Sequence, residues 1–393
     1  MVTGLFCFDG PLYKDKNGTY CNITLTNEMF DRYFYVVDRL IVAVRTYQEN
    51  KSYKELNMKQ LVLGTKIQVI EIENLNTIYG LFVGRRRLTK NLIPVVRSVD
   101  LIFARMPSTT SDVVLDVARK MNKPYLVEVG GCAWDAFWNH GLKGKVVAPY
   151  MFLKERQGIR KAAFATYVTK KFLQERYPNN NETISSSNVY LAPVNDAVLD
   201  ERIKKICRGS NQIIFGQAVN SIDVKYKGEH LIIKALRRLK NLGIRAEFQV
   251  VGPGNGEYLK KVALKNNVSD QLKLIGTLKK EEIAKWYQSI DVYVQPSKQE
   301  GLPRAVIEAM SMGCPCAGSN IAGIPELIDS DYLFNPDRES EIITVLLKII
   351  DKENMKQQAR INFYKAKEYY INKISVLREE IFRKYHDSVS YKY

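Results

Sequence analysis

Short apolar runs recur along the chain with amphipathic stretches between them. In the first half the runs are Leu5 to Phe8, LIVAV (40–44), KIQVI (66–70), DLIFAR (100–105) and PYLVEVG (124–130). The intervals between them leave room for helices, which is the pattern of an α/β protein. The second half repeats it more plainly. NQIIFG (211–216) leads through a loop ending Lys227-Gly228 into the amphipathic stretch EHLIIKALRRLKNLG, which Gly243 stops. AEFQVVG (246–252), LKLIG (272–276) and DVYVQPS (291–297) then alternate with a Lys-rich helix and a helix near EEIAKWYQS, and helices close the chain from about 339. Strands alternating with helices predict parallel, doubly wound sheets, which bind ligands beyond the carboxyl ends of their strands.

A chain of 393 residues that is 46% hydrophobic is long enough for two cores. A polar Asn/Ser-rich stretch at about 179–190 has little to bury, and a new strand opens some twenty residues later, which places the junction near 195–210. Residues 1–200 are expected to form one domain and 201–370 another, with 371–393 a final helix carrying Ile371, Ile374, Leu377 and Ile381 at helical spacing. Its apolar pattern spans too few heptads for a coiled coil.

One stretch of the second half carries chemistry. In EGLPRAVIE (300–308), Pro303 suits the first turn of a helix and Gly313 followed by Pro315 ends it, predicting a helix over about 303–312. Glu300 falls in the loop at its start and Glu308 inside an apolar run, where an unpaired carboxylate costs several kcal/mol. The positive end of the helix favours a phosphate. A sugar nucleotide supplies a partner for each group: a diphosphate for the helix end, ribose hydroxyls for Glu308 and hexose hydroxyls for Glu300. The plainer alternative is a Glu308 paired with a nearby Lys or Arg.

The segment PSKQEGLPRAVIEAMSMGCPCAGSNIAGIPEL resembles the nucleotide-sugar site of family 4 glycosyltransferases of the GT-B fold. Glu300 and Glu308 stand at its Glu-x7-Glu spacing, EAM-x-x-G follows, and Gly323, Pro325 and Glu326 match its G-x-PE motif. Lys227-Gly228, VGPG (251–254) and LIGTL (274–278) occur in the order such enzymes show. The likeness is strong over residues 211–330 and general in the first half. It implies two Rossmann-like domains facing a central cleft, the first binding acceptor and the second donor, with the last helix crossing back onto the first domain. It also implies that Glu308 binds ribose, that Glu300 lies against the transferred sugar and can stabilise oxocarbenium-like character, and that Lys227 neutralises the diphosphate. The backbone of Gly276, Thr277 and Leu278 would recognise the base, and Gly301, Leu302 and Arg304 would reach the sugar or phosphate. The family is retaining and generally needs no metal or other cofactor, since lysine, arginine and helix dipoles supply the positive charge. Asp329-Ser-Asp331 follows the PEL segment and reads as a loop or cap.

The chain departs from the family twice. Where an arginine usually follows the first strand of the second domain it has FGQAVNSID, leaving Lys225 or Arg304 as substitutes. Where many relatives end a first-domain strand with a histidine, PYLVEVGG has Gly130; Asp135 and His140 in the next loop are the nearby catalytic candidates. A retaining reaction in which the leaving phosphate takes the acceptor proton needs no protein base.

Charge changes the picture of partners. The net charge is +17, with 27 Lys+Arg against 19 Asp+Glu in residues 1–200 and 32 against 23 beyond, so both halves are basic. Such a field favours nucleic acid, acidic lipid or phosphorylated substrates. Helix-turn-helix, zinc-finger and RNP patterns are absent, which argues against nucleic acid. GRRRLTK (84–90) and KERQGIRKAAF (154–164) mix cations with apolar residues and suit peripheral contact with an anionic membrane presenting a lipid-linked acceptor. No apolar run reaches the roughly 18 residues of a membrane span, and MVTGLFCFDG lacks signal-peptide features, so a cytoplasmic enzyme is expected. Six scattered cysteines without a CxxC pair read as buried reduced thiols. The leading expectation is transfer of a hexose from a nucleotide diphosphate sugar to a glycan or lipid-linked acceptor, in cell-surface polysaccharide biosynthesis. A sugar-nucleotide epimerase of the same architecture is the alternative.

Overall fold

A computed structural model describes the chain apart from residues 57, 76–79, 140 and 391–393, and apart from the side chains of residues 81, 82, 143 and 280. It divides into two compact units, residues 1–186 with 375–393, and residues 187–374.

The first unit is built on nine strands: β1 (Thr3–Lys14), β2 (Tyr20–Asn22), β3 (Arg39–Gln48), β4 (Lys59–Gln60), β5 (Ile67–Ile72), β6 (Leu101–Met106), β7 (Leu126–Val129), β8 (Phe164–Tyr167) and β9 (Glu182–Ser185). Seven run parallel in the order β5-β3-β1-β6-β7-β8-β9, the short β2 adds antiparallel to the end of β1, and β4 adds antiparallel to β2. The central strands are buried on both faces, as β7 (LVEV) shows at every position, its one charge, Glu128, being met by Arg32 and Arg105. The polar stretch at about 179–190, which has little to bury, contains β9, an edge strand. Its flanking Asn179 and Asn181 donate side-chain hydrogen bonds to the carbonyls of Ile159 and Ala162, so the asparagines pin the edge where a hydrophobic side chain has nothing to pack against.

The final helix, Ile371–Ser390, supplies Ile381, Phe382 and Tyr385 to this unit's core. Phe382 stacks on Tyr33 with ring centroids 5.6 Å apart, and the Tyr385 hydroxyl accepts from the Ile102 amide at 2.9 Å. The C-terminus therefore returns to the first unit.

The second unit contains β10 (Ile213–Ala218), β11 (Ala246–Val251), β12 (Leu272–Gly276), β13 (Val292–Gln295), β14 (Cys316–Ser319) and β15 (Leu333–Phe334), all parallel in the order β12-β11-β10-β13-β14-β15. Consecutive strands pass through helices that cover the sheet. The helix Glu229–Asn241 buries Ile232, Ala235, Leu236 and Leu239 completely, the i, i+3, i+4, i+7 stripe its sequence shows. Residues 187–200, assigned from sequence to the first domain, pack here. The reason is Arg202 on the helix Ala197–Arg208, whose guanidinium donates to the carbonyls of Ile290, Tyr287 and Met312 and anchors that helix to the second sheet. All six cysteines are free thiols; five are buried and Cys207 is exposed.

Candidate functional site

The order of the second sheet reverses between β10 and β13, the position where open parallel sheets hold ligands at their carboxyl ends. The loop after β10 passes through a short turn, Lys225–Lys227, and enters the helix Glu229–Asn241 at Gly228. Gly228 has φ +81°, and a Cβ there would stand 2.0 Å from the Pro296 carbonyl oxygen. Only glycine lets this loop lie against the segment after β13. That approach delivers Lys227 to Glu300 across 73 positions of sequence: Nζ lies 2.7 Å from Oε1, with side chains only 14% and 11% exposed.

A polar floor supports the pair. Fully buried Tyr293 donates from its hydroxyl to Gln295 Oε1 at 2.9 Å, and Gln295 Nε2 donates to Glu300 Oε1 at 2.9 Å and Ser297 Oγ at 2.8 Å. From the other side Gln217, in the FGQAVNSID stretch, donates to the Lys227 carbonyl at 2.9 Å. The Gln217 side-chain oxygen is buried without a hydrogen-bond partner among the described residues. The family resemblance implies that Lys227 and Glu300 meet different parts of a donor; here they hold each other. Gln217, Tyr293 and Gln295 went unread, although a glutamine closing an apolar strand in VYVQPS is a buried amide at the ligand end of a parallel sheet, a signal available in advance.

Glu308 answers the puzzle of a carboxylate in an apolar helix. The helix spans Arg304–Ser311, one residue shorter at each end than expected, with Val306, Ile307, Ala309 and Met310 buried. Half-buried Glu308 accepts from the Tyr287 hydroxyl at 3.0 Å, and Arg304 one turn earlier contributes positive charge. Burial still wins over both and pushes its carboxyl above the ordinary range. Its partner is thus a tyrosine and not the Lys or Arg of the plainer alternative. No side chain caps the first turn at Pro303, and Arg304 is exposed there. The Gly301 carbonyl accepts from Gly323 N at 3.0 Å, joining the EGLP loop to the GIPE segment, and Leu302 is buried.

The neighbouring loops are latched together. Asp223 accepts from the amides of Asn255 and Gly256 at 3.2 and 2.9 Å, tying the loop after β10 to the loop after β11. Gly252, at φ +154°, donates to the Gly276 carbonyl at 2.9 Å, and a Cβ on it would lie 2.4 Å from the Val219 carbonyl oxygen. Thr277 is exposed and Leu278 partly so, leaving the backbone after β12 open. Lys225 stands over the Tyr258 ring at 4.8 Å. Beside it, burial and the charges of Lys234, Lys298 and Lys225 push His230 down to about 4. Glu229 is fully buried, no other described residue hydrogen-bonds to either carboxylate oxygen, and burial pushes it up to about 7 against the pull of its own backbone N–H and the opposing charge of Lys227.

The remaining candidates lie elsewhere. Asp135 belongs to the first unit, in the short helix Ala133–Trp138 after β7, and pairs with Arg176 at 3.6 Å. His140 lies outside the described residues. Asp329 caps its own turn by accepting from the Asp331 amide, and Asp331 pairs with Lys348 at 2.7 Å, as befits a loop.

The two units, each built on a mainly parallel sheet, give the chain the α/β fold that GT-B glycosyltransferases have. Residues 218–366 match the family described as glycosyl transferases group 1. Protein CapJ of Staphylococcus aureus is 29% identical over 385 residues, covering 97% of this chain and 95% of that protein. The amylovoran biosynthesis glycosyltransferase AmsK of Erwinia amylovora is 33% identical over 137 residues, covering 32% of this chain and 34% of AmsK. Among solved structures, HepE of Anabaena in complex with UDP-glucose superposes with a TM-score of 0.63 at 15% identity, covering 99% of this chain and all of that one. That likeness establishes the fold. Among the described residues no helix is long and apolar enough to cross a membrane.

Proposed function

We propose that the chain is a retaining glycosyltransferase that moves a hexose from a nucleotide diphosphate sugar to a glycan or lipid-linked acceptor in cell-surface polysaccharide biosynthesis. The observation that carries the reading is the Lys227–Glu300 pair on its polar floor at the carboxyl ends of β10 and β13. A cation and a carboxylate held together, both mostly buried, are the two groups a donor's diphosphate and sugar hydroxyls would each engage. The name of AmsK, an amylovoran biosynthesis glycosyltransferase, and the UDP-glucose bound by HepE favour the same chemistry.

On this reading the distal phosphate takes Lys227 from Glu300, and the freed carboxylate accepts from hexose hydroxyls while Gln295 keeps it oriented. Glu308 accepts from ribose hydroxyls, the backbone of Gly276 to Leu278 meets the base, and Arg304 with Lys225 adds positive charge near the phosphates. The bond from the anomeric carbon to the phosphate oxygen breaks as the acceptor oxygen bonds to that carbon on the same face. The acceptor proton passes to the departing phosphate oxygen, and a nucleoside diphosphate leaves. Negative charge grows on that phosphate in the transition state, where a preoriented cation is worth most. No step requires a metal or other cofactor, and Asp135 and His140 have no assigned part. The enzyme would work in the cytoplasm, at the inner face of the membrane when its acceptor is lipid-linked.

Incubation with a panel of radiolabelled nucleotide sugars, scoring transfer, hydrolysis and epimer formation, tests the activity. Transfer with the donor's anomeric configuration kept is expected by NMR. An epimerised nucleotide sugar without transfer would favour the epimerase, and an inverted product would overturn the retaining course.

A further inference from the structure

The first unit carries a surface that nothing in the donor site explains. On the helix Gly141–Arg160, Leu142, Val146, Tyr150 and Leu153 are 83%, 80%, 50% and 63% exposed. Their spacing of 4, 4 and 3 puts them on one stripe. The opposite face buries Ala148, Met151, Glu155 and Ile159 in the unit's core. Large apolar side chains lined up in water mark a binding surface far more often than scattered ones do.

Charge says what covers the stripe. The helix's only acid, Glu155, is 1% exposed on the buried face, so the outer face is free of negative charge. Lys145, Arg156 and Arg160 are exposed on that helix, and Lys161 follows it. Arg156, Arg160 and Lys161 converge with Leu153, Gln157 and Asn180 on an open recess of about 680 Å³. Among the described residues none of these three cations has an ion pair. A second copy of the chain would bring the same cations face to face, which disfavours self-association. The arginines singled out in the sequence at 84–90 are less available: Arg85 pairs with Asp116 and Arg87 with Glu73.

We propose that the helix Gly141–Arg160 lies on an anionic phospholipid surface, its apolar stripe among the acyl chains and a lipid phosphate in the recess of Arg156, Arg160 and Lys161. An apolar stripe flanked by cations on a helix of this length matches interfacial binding, not spanning. The inference deepens the proposed function by giving a lipid-linked acceptor a place to be met, but the contact itself needs neither donor nor catalysis.

The test uses the full chain without donor and vesicles of phosphatidylcholine, alone or mixed with an equal part of phosphatidylglycerol. Co-sedimentation is expected only with the mixed vesicles at low salt, with release at about 0.5 M salt, where screening acts within a few ångström. Leu142→Ser with Val146→Ser and Leu153→Ser, and separately Arg156→Ser with Arg160→Ser and Lys161→Ser, should each lower the bound fraction's partition coefficient about tenfold or more. Glycerophosphoglycerol, the headgroup without chains, should compete poorly. Both triple variants should bind nucleoside diphosphate like the parent chain, which shows that they fold and separates this result from any failure of the transferase reading. Three results would overturn the proposal: no sedimentation of the parent chain, full binding by both variants, or a parent dimer that the apolar triple alone dissociates.

Discussion

Replacing Glu300 by Gln tests whether the resting site is held shut by its own charges. Lys227 Nζ and Glu300 Oε1 are 2.7 Å apart and both side chains are largely out of water, so their bond belongs with charge-assisted hydrogen bonds, worth about 1.5–3 kcal/mol, and not with exposed ion pairs at about 0–1 kcal/mol. A nucleoside diphosphate that recruits Lys227 must first break that bond. With Gln the competing contact drops to a neutral hydrogen bond of about 0.5–1.5 kcal/mol, leaving roughly 1–1.5 kcal/mol less to overcome. The diphosphate should therefore bind about fivefold to tenfold more tightly to Glu300→Gln, while the monophosphate, which stops short of Lys227, changes little. Turnover should fall in the same variant, because the amide is neutral where the sugar's positive character develops. Isothermal calorimetry with the two nucleotides, beside a transfer assay, gives both readouts. Diphosphate affinity that is unchanged or weaker in Glu300→Gln would refute the reasoning, since the pair would then not compete with the ligand.

Three further outcomes follow from the same site. Lys227→Ala should weaken the diphosphate by roughly 1.5–3 kcal/mol and the monophosphate far less, measured by the same calorimetry; equal losses would remove Lys227 from the distal phosphate. Glu308 is held above the ordinary carboxyl range by burial while Tyr287 pulls it down, so nucleotide affinity should fall as pH drops through its titration, and Tyr287→Phe should move that fall to higher pH. Glu229, raised from 4.5 to about 7, binds its proton more tightly in the folded chain, so it favours folding at low pH and that stability is lost as pH rises from about 4.5 through 7. Glu229→Gln should accordingly melt several degrees higher than the parent chain at about pH 8 and close to it at about pH 4.5, and equal offsets at both pH values would contradict an ionisable, unpaired carboxylate.

Periodicity along the chain was enough to reveal the alternating strands and helices, because period-2 and period-3.6 patterns are local consequences of which face is buried. The second unit's strands, the Gly228 turn and the helix around Ile307 could all be read that way, as could Glu300 and Glu308 as groups needing partners. What those partners are was settled by pairing between distant segments. Glu300 meets Lys227 because Gly228 lets two loops touch, and Glu308 meets a tyrosine from the preceding helix, contacts with no signature in local spacing. The unit boundary moved for a similar reason: Arg202 finds its carbonyls 85 to 110 positions further on, and the polar run before it, which has little to bury, proved to contain an edge strand. The basic residues show the same division. Their number sets the sign of the field, but only the packing decides that Arg85 and Arg87 are paired while Arg156, Arg160 and Lys161 stand beside an uncovered apolar stripe.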